Sequence, residues 1–115
     1  MKKKNKKLKT ILIDLDGVLN KYNGNYDENF IPEIREGAEN FIKELNKKYI
    51  IKIFTTRNKI LAVKWLIKYQ LDKYIQDVTS IKEPAWVHID DRCINFCGNY
   101  KEVTEKIANF STWYN

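Results

Sequence analysis

Two acidic pairs stand at comparable points of the chain: Asp14 and Asp16 follow the apolar run Ile11-Leu12-Ile13, and Asp90-Asp91 follow Val87-His88-Ile89. A spacing of two at a strand end sends the Asp14 and Asp16 side chains to one face while Leu15 turns away. Carboxylates crowded together repel one another unless a cation shares the site. Oxygen-only ligation favours Mg²⁺, which keeps several waters and takes one or two carboxylates plus a substrate phosphate. One acidic pair alone reads as a turn or a helix cap; two pairs at two strand ends read as a cation site. Such a site suits a phosphate ester, whose negative oxygens repel a carboxylate nucleophile until a cation, a lysine and hydroxyl donors offset them. Thr55 and Lys82 are the candidate donors.

The elements that must position these residues follow from hydrophobic patterning. Ile11 to Ile13 is a continuous apolar run, as in a strand buried on both faces, and it ends at the turn residue Gly17. Tyr22-Asn23-Gly24-Asn25-Tyr26 carries Asn-Gly between tyrosines, a hairpin-turn pattern. Ile34, Ala38, Phe41, Ile42 and Leu45 recur at helical spacing with Pro32 near the expected helix start. Tyr49 to Phe54 forms a second strand ending at Thr55-Thr56-Arg57. Asn58 is placed to cap a helix with an apolar stripe from Ile60 to Tyr69. A weaker strand is expected near Ile75 to Thr79, a further strand over Ala85 to Ile89, and a last helix over Lys101 to Phe110 with Val103, Ile107 and Phe110 inward. This alternation predicts an α/β fold, a Rossmann-like three-layer sandwich with a mainly parallel sheet. The polar strand ends converge on the rim where open parallel sheets bind ligands.

Length and composition set the frame. A chain of 115 residues, 43% hydrophobic and 13% aromatic, fits one domain with a real core. The formal charge of +6 arises from Lys2, Lys3, Lys4, Lys6, Lys7 and Lys9, so a basic extension over 1–9 precedes an electrically balanced domain over 10–115. No apolar run approaches the ~20 residues of a membrane span, and Asp14 and Asp16 interrupt any signal-peptide pattern. Cys93 and Cys97 lack further ligands for zinc and read as reduced, partly buried residues of a cytoplasmic protein.

With these residues in view, the chain resembles the haloacid dehalogenase-like hydrolase superfamily. Asp14-Leu15-Asp16-Gly17-Val18-Leu19 is similar to its first motif, Thr55 after Ile50 to Phe54 to its second, Lys82 to its third, and Asp90-Asp91 to its fourth. Lys82 to Arg92 also looks like a small, cap-poor subgroup. The resemblance implies that Asp14 attacks phosphorus to form an aspartyl-phosphate. Asp16 would protonate the leaving oxygen and then activate water, its main-chain carbonyl helping to hold Mg²⁺. Thr55 and Lys82 would grip the phosphoryl oxygens, with Thr56 as the adjacent alternative and Arg57 a further phosphate contact. Asp91 aligns with the direct metal ligand and Asp90 with an outer partner, although the two could exchange. Asp16 sets the chain apart from true dehalogenases, which lack the second acid, and from ion-pumping ATPases, which carry Thr there. A phosphatase is therefore implied, and a phosphomutase is disfavoured because it needs a larger cap.

Gly17 to Ile31 has room only for a hairpin flap. Substrate selection then falls to Tyr22 and Tyr26, to Arg57 and Asn58, or to a second subunit closing the cleft in a homo-oligomer. An open site suits a small phosphorylated metabolite or the terminal phosphate of a larger molecule. His88 reads as a packed or edge histidine, the tryptophans as core or interface residues, and Arg92 as a partner of the acids or a loop cap. Two other readings stand beside the phosphatase. One is a non-catalytic nucleic-acid-binding module using the lysine-rich N-terminus. The other is a phospho-acceptor receiver domain, disfavoured because the central strand ends in Thr55 rather than in an acceptor Asp.

Overall fold

In the computed structural model, which describes residues 8–114, Ile11, Ile13, Ile51 and Ile53 are buried side by side on two adjacent strands. Strand β1 (Thr10–Asp14) pairs in parallel with β2 (Ile50–Phe54), setting Ile13 opposite Ile53 and Asp14 opposite Phe54. Strand β3 (Asp77–Thr79) extends the sheet beyond β2, and β4 (Val87–Ile89) pairs with the other edge of β1. The order is β3-β2-β1-β4, and every pairing is parallel. Helices α1 (Ala38–Asn46) and α2 (Lys59–Lys68) follow β1 and β2. Two crossovers of the same hand in the same direction leave both helices on one face of the sheet. Ala38, Ile42, Ala62, Trp65 and Leu66 accordingly share one core with the four isoleucines. This is a Rossmann-like α/β fold in which the β1 end lies at the centre of the carboxyl rim.

Local chemistry explains the helix ends. Asn58 caps α2, its Oδ1 accepting from the Leu61 N–H at 3.1 Å, as its position before the apolar stripe predicts. The same helix closes with Gln70 in the left-handed region (φ 58°). There the Leu71 N–H reaches the Leu66 carbonyl and the Gln70 N–H the Ile67 carbonyl. This reciprocal closure brings fully buried Leu71 against the core beside Leu66.

Four expectations are corrected. The first helix begins at Ala38, not near Pro32, because Gly37 at φ 91° stops helical continuation and Ile34 instead forms an antiparallel bridge with Asn20. Tyr22 and Tyr26 do not pair as strands of a hairpin. The chain between the two bridge residues is irregular, and its pairing is confined to the neck, where Lys21 N–H meets the Glu33 carbonyl and Arg35 N–H the Leu19 carbonyl. Helix α3 (Tyr100–Ala108) forms where expected but buries no residue, with Ile107 62% exposed and Phe110 also exposed. Its neighbour in sequence, β4, is a three-residue edge strand and offers little surface for a helix to cover. Cys93 and Cys97 are exposed rather than partly buried.

Lys9 is already part of the fold: its carbonyl accepts from Ile50 N–H and its ammonium lies 4.3 Å from the centroid of the Trp86 ring. The rest of the lysine-rich segment, 1–7, lies outside the described residues. Among the described residues no helix is long and apolar enough to cross a membrane.

Candidate functional site

Asp14 is the last residue of β1, and the chain leaves it in a tight turn pinned from below by fully buried Leu15 and Leu19. Gly17 occupies that turn at φ 88°, and a Cβ on it would overlap the carboxylate of Asp91. Only a glycine lets the two acidic segments approach this closely. Asn20, fully buried, organises the turn from within. Its Oδ1 accepts from the N–H groups of Gly17 (3.1 Å) and Tyr22 (3.0 Å), and its Nδ2 donates to Asp16 Oδ1 at 3.0 Å. Nothing in the hydrophobic pattern marks Asn20 as structural; its position three residues after Gly17, ready to bond that N–H, was the available signal.

From the neighbouring strand β4 come Asp90 and Asp91. Asp90 Oδ1 accepts from the Arg92 N–H at 3.1 Å and shapes the loop. One carboxylate oxygen each from Asp14, Asp90 and Asp91 lies within 4.8 Å of the others. The Asp91 side chain is 2% exposed, and among the described residues neither of its oxygens has a hydrogen-bond partner. The Arg92 guanidinium is 3.6 Å away, an ion pair too long to be a hydrogen bond. A buried carboxylate without donors is costly. Burial, and then repulsion from Asp90, Asp91 and Asp16, pushes the Asp14 carboxyl from 3.8 to about 7, with Arg92 pulling the other way. Burial also raises Asp91 against the opposing pull of Arg92. Three carboxylates close together, Asp90 exposed, Asp14 half-buried and the Asp91 oxygens without a hydrogen-bond donor, fit a hard divalent cation.

The Asp16 carboxylate is not in this group, although its spacing of two from Asp14 predicts side chains on one face. Strand alternation ends at Asp14, and Asp16 already belongs to the turn. Its Oδ2 accepts from Arg57 Nε at 2.8 Å and its Oδ1 from Asn20. Each oxygen keeps a lone pair for a proton or a water. Asp16 still lines a cleft of about 180 Å³ with Asp14, Thr55, Thr56, Tyr22, Tyr26, Phe54 and Arg92.

Arg57 also departs from expectation. Its side chain is 1% exposed and absent from the cleft wall, so it is not a phosphate contact. A buried guanidinium needs a charge partner, and Asp16 supplies one. Arg57 Nη1 donates to the Asp27 carbonyl at 2.8 Å and the guanidinium lies 4.6 Å from the Tyr26 ring centroid. Arg57 therefore ties Asp16 to the loop above it. Thr55 is buried at the end of β2 with its N–H on the Thr79 carbonyl; its hydroxyl accepts from Arg57 N–H and keeps its own proton to donate. Thr56 is exposed beside it.

Lys82 shares a different cleft with Asp14, one of about 230 Å³ that Asp90, His88 and Cys93 also line. The neighbouring ion pair Lys52–Glu83 (2.9 Å) and the Ile81 N–H on Thr79 Oγ1 anchor its loop. His88 is an exposed edge histidine. Asp14 thus stands where two clefts adjoin, one carrying the threonines and Asp16, the other the lysine and Asp90.

The C-terminal residues complete the rim, which periodicity did not foretell. Trp113 Nε1 donates to the Gly17 carbonyl at 2.9 Å, Arg35 packs on the Trp113 ring, and Tyr114 meets both Tyr22 and the Arg92 side chain.

No family model matches the chain, and no curated protein matches it. Among solved structures, a conserved protein coded by a locus of Bacteroides thetaiotaomicron is similar with a TM-score of 0.57 and 19% identity, over 92% of this chain and 94% of that one. That likeness extends through nearly the whole of both chains and shows a shared α/β fold.

Proposed function

We propose that this chain is a Mg²⁺-dependent phosphohydrolase of the haloacid dehalogenase-like kind, cleaving a phosphomonoester through an aspartyl-phosphate. One observation carries the reading: the Asp91 carboxylate is buried without a hydrogen-bond partner beside Asp14 and Asp90, at a strand rim that also bears Thr55, Asp16 and Lys82.

Asp14, Asp91 and Asp90 would hold the cation, with the Asp16 main-chain carbonyl. When bound, Mg²⁺ supplies the counter-charge that keeps Asp14 ionised at neutral pH and offsets the charge of the phosphoryl group. The Thr55 and Thr56 hydroxyls and the Lys82 ammonium hold the phosphoryl oxygens from the two adjoining clefts. An Asp14 oxygen attacks phosphorus, and the bond to the leaving oxygen breaks with its electron pair. Asp16 gives that oxygen a proton, so the alcohol departs neutral. Water then attacks the aspartyl-phosphate and passes a proton to Asp16. The Asp14–phosphorus bond breaks, releasing phosphate and restoring both acids. Arg57 and Asn20 keep Asp16 aimed at the cleft throughout.

The test is hydrolysis of an aryl phosphate by the full chain. Turnover should require Mg²⁺ and vanish in Asp14→Asn. Unchanged turnover in chelator or in that variant, or none across a broad panel of phosphomonoesters, would overturn the proposal.

A further inference from the structure

We infer that the phosphomonoester taken by this cleft carries a planar ring on its leaving group, stacked against Tyr22 and Tyr26. This rests on the phosphohydrolase reading above and names its substrate class.

The cleft has two unlike walls. Asp14, Asp16, Thr55 and Thr56 form the polar one, and Tyr22, Tyr26, Phe54 and Arg92 form the other. Its volume is about 180 Å³. Its aromatic wall is braced from behind. The Tyr26 ring lies over the buried Arg57 guanidinium, yet Tyr26 stays 55% exposed, so one face is fixed and surface remains open. Tyr22 is met edge-on by Tyr114 (ring centroids 6.1 Å apart), and the Arg92 guanidinium lies 5.9 Å from its ring centroid. Tyr114 in turn meets Trp113 edge-on at 5.2 Å, and Trp113 is bonded to the Gly17 carbonyl in the Asp14–Asp16 turn.

Fixed rings give contact area at little conformational cost, and a π-face accepts another ring without regard to its substituents. This wall is built from three aromatic rings, two of them phenols, and one guanidinium. That matches a flat group better than a polyol chain. A bracing that runs through the catalytic turn also keeps the rings in register with Asp14. The shared chemistry is a planar ring near the phosphate, which a nucleoside monophosphate or an aryl-bearing phosphate could both supply.

Two substrate pairs with matched leaving alcohols separate ring recognition from reactivity: benzyl phosphate against cyclohexylmethyl phosphate, and adenosine 5′-monophosphate against ribose 5-phosphate. The planar member of a pair should have a roughly tenfold higher kcat/KM. A larger ratio in the nucleotide pair identifies a nucleoside, and a larger ratio in the benzyl pair an aryl group. Tyr22→Leu and Tyr26→Leu should bring the ratios toward one, whereas Tyr26→Phe keeps the ring and should keep the preference. Calorimetric titration with benzylphosphonate and its cyclohexylmethyl counterpart, with and without Mg²⁺, reads the same preference independently of turnover. Equal kcat/KM within both pairs overturns the ring inference and leaves the phosphohydrolase standing. Absence of all turnover sinks the phosphohydrolase, and equal phosphonate affinities then dispose of the ring as well.

Discussion

Neutralising Asp14 should make the cation-free protein more stable, although it removes the proposed nucleophile. The Asp14 carboxyl is raised from 3.8 to about 7 by burial and by three neighbouring acids. The folded state therefore binds its proton more tightly than the unfolded chain does. That contribution is fully present below about pH 4 and is lost as pH rises through about 7. A shift of about 3 units corresponds to about 4 kcal/mol at full strength. Asp14 opens on two clefts, and solvent screening reduces the figure to about 2 kcal/mol. In a domain of this size that is a rise of about 8 °C in Tm for Asp14→Asn near pH 8. The assay is thermal unfolding by circular dichroism in chelating buffer, with both proteins scanned across pH. Near pH 4 the two should melt together. A variant melting at or below wild type near pH 8, or a gain of the same size at both pH values, refutes the account of the cluster. Adding Mg²⁺ at about 100 times its Kd should raise wild-type stability by about 2.7 kcal/mol and the variant's by less.

Arg57→Ala should destabilise by about 3–5 kcal/mol, because it strands the partly buried Asp16 carboxylate. Arg57→Lys keeps the charge but not the fork that spans Asp16 and the Asp27 carbonyl, and should slow alkyl phosphates more than aryl phosphates, since poor leaving groups need the acid most. Equal slowing of both would show that Arg57 does not act through Asp16. Gly17→Ala forces a Cβ toward Asp91 at a left-handed φ, and should cost about 1–2 kcal/mol and weaken divalent binding in a calorimetric titration. Trp113→Phe keeps the ring but drops the bond to the Gly17 carbonyl, an expected loss of about 1 kcal/mol by chemical denaturation. Ile53→Ala empties a fully buried position of β2 in the core shared with the helices and should cost about 2–5 kcal/mol.

What the amino-acid order by itself determined is everything local: the apolar runs of β1 and β2, the Asn58 cap, and the chain positions of Asp14, Thr55, Lys82 and Asp90-Asp91 at or near strand ends. Those features arise from backbone alternation and short-range hydrogen bonding, which a linear pattern records. The alternation of strands and helices also carried the parallel sheet, because few topologies join such units. Tertiary structure decided which polar groups share a space. Asp16 left the acidic cluster because Arg57, 41 residues away, is buried and requires a counter-charge. Ile107 and Phe110 turned outward because β4 is a short edge strand, although their helical spacing looks like that of a core helix. The site rim depends on Trp113 bonding Gly17 across 96 residues. Partnerships of that range answer to packing and to the cost of leaving charge unpaired, and neither is written in the spacing of nearby residues.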